Sequence, residues 1–179
     1  MRSDSGRTTS VWMAADVPEL PALSHDIRTN VCIVGAGIAG MTTAYLLARA
    51  GRAVVVIDDG PIGGGETGRT TAHITASLDD LYHRVEKLHG VEGIRIAAES
   101  HTAAIDQIES IASLEDIDCD FERVDGYLFL GARSDKNLLE RELASAHRAG
   151  LSDVEFVARA PIDSFDTGPA LCFPRQAQF

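Results

Sequence analysis

The chain has 179 residues, 45% hydrophobic and 24% charged, enough for an ordinary globular domain with a real core and unlike a disordered segment. Its formal net charge of −11 argues against a nucleic-acid or anionic-membrane partner, because phosphate recognition needs basic patches. The three cysteines, Cys32, Cys119 and Cys172, lie far apart and form no CxxC pair, so no metal site is signalled and a reducing, cytoplasmic setting is expected.

Residues 1–28 lack the continuous apolar core of a secretory signal, and no apolar run in the chain approaches transmembrane length. With Trp12, Pro18 and Pro21 they read as an extended arm, Trp12 being expected to dock on the domain.

Residues 29–59, TNVCIVGAGIAGMTTAYLLARAGRAVVVIDD, carry the main signal. The β-branched run from Val31 to Val34 has the length of a buried strand, in which Cys32 reads as a small core residue. The turn Gly35-Ala36-Gly37-Ile38-Ala39-Gly40 follows at once. A helix is then expected, with Met41, Ala44, Leu47 and Ala48 on one face and Gly51 in the C′ position. A second strand, Ala53 to Ile57, ends in Asp58 and Asp59. This is the order of a dinucleotide-binding βαβ unit. Gly35 serves the tight turn, Gly37 the approach of backbone amides to a pyrophosphate, and Gly40 the close packing of helix on strand. The helix start favours a doubly charged pyrophosphate. Asp58, 18 residues beyond Gly40 (58 − 40), is placed to accept hydrogen bonds from ribose hydroxyls, and an acid there repels the 2′-phosphate of NADP. An ordinary glycine turn is the plainer alternative.

Residues 59–77, DGPIGGGETGRTTAHITAS, read as loop. Gly63-Gly64-Gly65 frees the backbone for positive φ, Arg69 offers a charged fork to phosphate, and Thr67, Thr70 and Thr71 offer hydroxyls to ribityl or phosphate oxygens. A bare linker could share this composition, and His73 is as readily structural as functional. Ser77-Leu78-Asp79-Asp80 resembles a capping box opening a helix that carries Leu81, Val85 and Leu88 and stops at Gly90. A longer helix follows with Ile94, Ala98, His101, Ile105, Ile108 and Ala112 on one stripe, so His101 is expected to be packed. The acids from Glu99 to Asp120 read as a solvated face rather than paired catalytic carboxylates.

Asp125-Gly126 between CDFERV and YLFL predicts a two-residue hairpin. Residues 135–149 predict a helix using Leu138, Leu139, Leu143 and Ala146, stopped by Gly150, and residues 154–157 a strand. Beyond Ala158, Pro161, Gly168, Pro169 and Pro174 predict irregular chain.

Taken together, GAGIAGMTTAYLLARAG and GGGETGRTTAHIT resemble the FAD-dependent oxidoreductases of the D-amino-acid oxidase and glycine oxidase superfamily. The likeness is strongest to the bacterial branch whose members often carry a C-terminal Rieske domain. CDFERVDGYLF is similar to the opening of that branch's substrate domain, and the likeness runs from Ser10 to PRQAQF. The first motif is shared with many nucleotide enzymes; the second is far more specific.

The resemblance implies an FAD enzyme oxidising a carbon–nitrogen bond of an amine or amino acid by hydride transfer to flavin. It implies contacts to the cofactor from Gly35, Ala36, Gly37, Ile38, Ala39 and Gly40, from Asp58 with Asp59, and from Gly65, Thr67, Arg69, Thr70 and Thr71. Asp58 departs from the family's usual Glu. No catalytic acid or base is assignable. Family members continue well past this length, so the chain reads as their amino-terminal part, whose partner would be the remaining carboxy-terminal part or an oligomeric neighbour.

The expected fold class is α/β. An arm (1–28) precedes a Rossmann-type FAD-binding region (29–117) and the start of an α+β substrate domain (118–179). The rivals are a nucleotide-binding remnant without turnover and an NAD-dependent dehydrogenase, against which the second segment weighs.

Overall fold

Strand β1 (Val31–Val34) and strand β2 (Val54–Ile57) pair in parallel, Val31 opposite Val54 and Val34 opposite Ile57, with helix α1 (Ile38–Arg49) connecting them. The start of the pair is pinned by side chains. Thr29 Oγ1 donates to the Ala53 carbonyl at 2.7 Å, and Asn30 Oδ1 accepts the Ala53 amide at 3.2 Å. Gly51 ends α1 at φ +75°, where its amide reaches Ala48 O and the Arg52 amide reaches Leu47 O, a Schellman closure. The computed structural model describes residues 10, 13, 16–131 and 137–179, so the expectation for Trp12 lies outside the described residues.

The chain forms two compact units, Met1–Thr71 and Ala72–Phe179. In the first, α1 covers one face of the β1–β2 pair. Ile33 faces the helix, and Ala44 and Leu47 are half-buried, while Met41 and Ala48 of the predicted stripe stay exposed. Side chains alternate along a strand, so Cys32 and Val34 point to the other face. There Cys32 is exposed rather than in a core, and Val34 is 82% exposed.

The second unit is built on strand β6 (Ala170–Gln178), which pairs antiparallel with β4 (Glu122–Phe129) along one edge. Along its other edge it pairs with β3 (His73–Ile74) and β5 (Glu155–Val157). Helices α2 (Tyr82–Leu114) and α3 (Leu138–Arg148) pack together on this sheet. Tyr82, Ile94 and Ala98 of α2, Leu139 and Ala146 of α3, and Leu171 and Phe173 of β6 share its core. Thus α2, grouped by sequence with the nucleotide region, makes its core with α3 and β6.

Four expectations change here. The Asp125-Gly126 hairpin does not form: β4 runs straight through it, and the register slips between Val124 and Gly126 because β6 bulges there, Pro174 and Arg175 facing the single Asp125, which accepts the Arg175 amide at 3.1 Å. A Cβ on Gly126 would stand 3.1 Å from Gln176 Cγ, so the glycine marks a close strand approach. Residues 158–169 are irregular as expected, but Ala170–Gln178 is the central strand, its Pro174 sitting within that bulge, where no ladder N–H is required. The helix starts at Tyr82, after Leu81 at φ +63°, so the capping box is not used. Instead the buried Glu142 carboxylate of α3 accepts the Tyr82 amide at 2.6 Å and the His83 amide at 3.1 Å. Lastly, His101 is exposed, with Nδ1 3.3 Å from the Thr75 carbonyl, while Ile94, Ala98 and Ile105 carry the buried stripe. Gly90, at φ +71° and ψ −178°, kinks α2 where the sequence separates two helices.

Candidate functional site

The glycine turn leaves β1 at Gly35, whose φ of +106° a side chain would oppose and whose amide donates to Ile57 O at 2.8 Å. At Gly40 the constraint is space: a Cβ would stand 1.9 Å from the Gly35 carbonyl oxygen. Gly37 caps α1 with no side-chain bond of its own, and the first turn of the helix holds no acid. The positive end of the helix is therefore left uncompensated by the helix's own side chains.

The second glycine-rich segment folds onto this turn within the same unit. The Gly63 amide, at a residue with φ +68°, donates to the Ala36 carbonyl at 2.9 Å. Thr67 lies in a single 3-10 turn, Glu66–Arg69, and its Oγ1 accepts the Ile38 amide at 2.9 Å. A Cβ on Gly37 would come 3.3 Å from that same oxygen. Asp58 completes the cluster: Oδ2 accepts the Ala36 amide at 2.6 Å and Oδ1 the Gly60 amide at 2.8 Å. These amides, Ala36 first, hold the Asp58 carboxyl below its usual range.

Of the sequence-predicted residues, the structure brings Gly35, Ala36, Ile38, Asp58 and Thr67 together by hydrogen bonds, with Gly37 and Gly40 packed closely against Thr67 and Gly35. Ala39 stands in the first turn of α1, its carbonyl taking the Thr43 hydroxyl at 2.7 Å. Arg69 ends the 3-10 turn half-buried, while Asp59, Gly65, Thr70 and Thr71 are exposed around it. Sequence reasoning missed Gly60 and Gly63 as participants. Their signal was the glycine run itself, legible as backbone freedom but not as a bond to a particular carbonyl.

The arrangement suits the pyrophosphate and ribose end of a dinucleotide. The hydroxyl of Thr67 accepts from Ile38 and still has its own proton to donate, and each Asp58 oxygen keeps a lone pair for a ribose hydroxyl. A side chain at Gly37 would fill the approach to the helix start.

The family model described as DAO, FAD dependent oxidoreductase, matches residues 30–179. The putative Rieske 2Fe-2S iron-sulfur protein YhfW of Bacillus subtilis (strain 168) is 32% identical over 166 residues, which are 93% of this chain and 32% of that protein. Gamma-glutamylputrescine oxidoreductase of Escherichia coli (strain K12) is 31% identical over 154 residues, 84% of this chain and 35% of that protein. This chain thus spans about a third of the length of these curated relatives. Among solved structures, L-amino acid deaminase from Proteus vulgaris superposes with a TM-score of 0.65 at 16% identity, over 92% of this chain and 37% of that one, a likeness of fold alone.

Proposed function

Because this chain belongs to the FAD dependent oxidoreductase family, we propose that its first unit holds the ADP half of FAD and that the protein oxidises a carbon–nitrogen bond of an amine or amino acid. The cofactor, when bound, supplies the hydride acceptor. The chain's own residues bind and orient it. Gly35, Gly37 and Gly40 shape the turn, and the amides of Gly37 and Ala39 would meet the pyrophosphate, those of Ala36 and Ile38 being held by Asp58 and Thr67. Thr67 would donate a hydrogen bond from its hydroxyl to a phosphate oxygen while accepting from Ile38. Asp58, with Asp59 beside it, holds the adenosine ribose, and Gly65, Arg69, Thr70 and Thr71 lie toward the ribityl and flavin end. In this reading residues 29–117 serve the cofactor and residues 118–179 open the substrate domain. The three cysteines are free thiols, which supports a reducing, cytoplasmic location.

One observation carries the reading: the second glycine segment is bonded to the first turn through Gly63–Ala36 and Thr67–Ile38. An ordinary glycine turn has no need of that second layer. The choice of substrate class is supported by the printed names of the E. coli and P. vulgaris proteins, an oxidoreductase of gamma-glutamylputrescine and a deaminase of L-amino acids. Titration of FAD into the purified chain, read by flavin fluorescence, tests cofactor binding, with NAD as the competing ligand. Weak but saturable FAD binding is the expected result for this chain alone; binding of NAD alone would sink it.

A second reading, nucleotide binding without turnover, is favoured by the open face of the β1–β2 pair, where Val34 is 82% exposed. Parallel strands ordinarily have both faces covered. Flavin binding without bleaching by any amine would select this reading.

A further inference from the structure

Between α2 and α3, within the second unit, lies a cleft of about 530 Å³ whose charge opposes that of the chain as a whole. Arg84 and Lys87 on α2 are three residues apart, and Arg141 and Arg148 on α3 are seven apart, so each pair occupies one helix face. Packed helices ordinarily turn apolar or oppositely charged residues toward one another. Here four cations line the cleft against one carboxylate, that of Glu86.

Glu86 offsets only one of these cations. Arg148 takes both of its oxygens, Nε to Oε1 and Nη2 to Oε2, each at 2.7 Å, and the Ser145 hydroxyl donates to Oε2 at 2.5 Å. The other nearby acid, Glu142, is buried and spent on the amides of Tyr82 and His83 and on His83 Nδ1 at 2.7 Å. Arg84 and Lys87 form no ion pair with any described residue. Like charges gathered in one concavity disfavour the empty state and concentrate anions.

We propose that this cleft binds a small multivalent anion carrying a phosphate or pyrophosphate group. Guanidinium forks match phosphate oxygens and the Lys87 ammonium adds a point charge. The net charge of −11 on the chain repels long polyanions such as nucleic acid or an anionic membrane surface. The cleft lies in the second unit and the glycine turn in the first.

The probe is inorganic pyrophosphate, titrated calorimetrically into the full 179-residue chain at low salt. Saturable binding that weakens with added salt is expected, falling at least ~tenfold in the double variant Arg84→Ala/Lys87→Ala and persisting in Arg84→Lys/Lys87→Arg. Since pyrophosphate could also occupy the glycine turn, Gly37→Val is measured alongside and should keep the site that Arg84→Ala/Lys87→Ala removes. Sedimentation with phosphatidylglycerol vesicles separates a lipid headgroup from a free phosphate. Absence of saturable pyrophosphate binding, retention of binding in Arg84→Ala/Lys87→Ala, loss of it in Gly37→Val, or co-sedimentation with vesicles in place of pyrophosphate binding would each overturn the proposal.

Discussion

The Asp58 carboxylate accepts the Ala36 amide at 2.6 Å, tying the acid at the end of β2 to the middle of the glycine turn that follows β1. A side chain proposed to hold the ribose thereby also sets the shape of the pyrophosphate loop. Asp58→Ala removes both functions and should weaken FAD binding roughly ten- to a hundredfold, since bonds to a charged acceptor are among the stronger ones. Asp58→Glu should be tolerated, with the longer arm keeping the carboxylate in reach. Fluorescence titration at equal folded fraction measures this, and an unchanged affinity in Asp58→Ala would leave Asp59 or neither residue as the ribose ligand.

Thr67→Val keeps the shape of the side chain and deletes the acceptor of the Ile38 amide. The loss resembles removal of a helix cap, about 1 kcal/mol of local stability. FAD affinity should fall about tenfold, because the proton offered to phosphate goes with it. Thr67→Ser should restore both. Far-UV circular dichroism with the FAD titration distinguishes a lost contact from a lost helix.

The two glycines of the turn should fail differently. At Gly40 a Cβ would meet a backbone oxygen at 1.9 Å, so Gly40→Ala must part the helix from the strand and should unfold the first unit. At Gly37 the nearest atom is the hydroxyl of Thr67 at 3.3 Å, the end of a side chain that can turn. Gly37→Val should therefore leave α1 formed and abolish FAD binding. Equal FAD affinities for Gly37→Val and wild type would remove the turn's assigned role.

Glu142 caps α2 from a position 60 residues away in sequence. Glu142→Ala would leave two amides and the His83 ring without their buried acceptor, at a cost of about 3–5 kcal/mol. A urea unfolding midpoint unchanged by this substitution would show that water satisfies the helix start equally well.

Glu86 supplies an acid-dependent contact. The bonds from Arg148, then from Ser145, hold its carboxyl at about 2 rather than 4.5. A carboxyl depressed in the folded state stabilises the protein above its unfolded value and loses that contribution as pH falls through the folded one. The drop in melting temperature caused by Glu86→Gln should thus be full at neutral pH, begin to shrink below about pH 4.5, and vanish near pH 2. A difference that stays constant across this range would mean the network does not stabilise the fold through its charge.

Local spacing alone determined the strand–turn–helix–strand unit of this protein. Val31–Val34, the glycines at 35, 37 and 40, the stop at Gly51 and the acid at Asp58 all act within one turn or one helix length of each other. The need for glycine there arises from backbone angles and from a carbonyl five residues away, both local quantities. The helical stripe of Ile94, Ala98 and Ile105 was legible for the same reason, since a 3.6-residue period is carried by the chain itself.

What the tertiary structure decided involves partners distant in sequence. Asp125-Gly126 has the local chemistry of a hairpin turn, yet Arg175 and Gln176 arrive beside it and hold it in the strand, opposite a bulge of β6. Pro174 forbids a ladder bond only at its own nitrogen, and it sits in the bulge of β6, where none is needed, so β6 can be central. Ser77 could have capped a helix, but the buried carboxylate of Glu142 offers the Tyr82 and His83 amides a charged acceptor, and the helix begins where that acceptor lies. Cys32 has the neighbours of a core residue, but burial depends on what covers the strand's second face, and only the face toward α1 is covered here. In the site itself, the residue types were readable from composition, while the pairings Gly63–Ala36 and Thr67–Ile38 required the loop to fold back across more than twenty residues, a closure that no local propensity encodes.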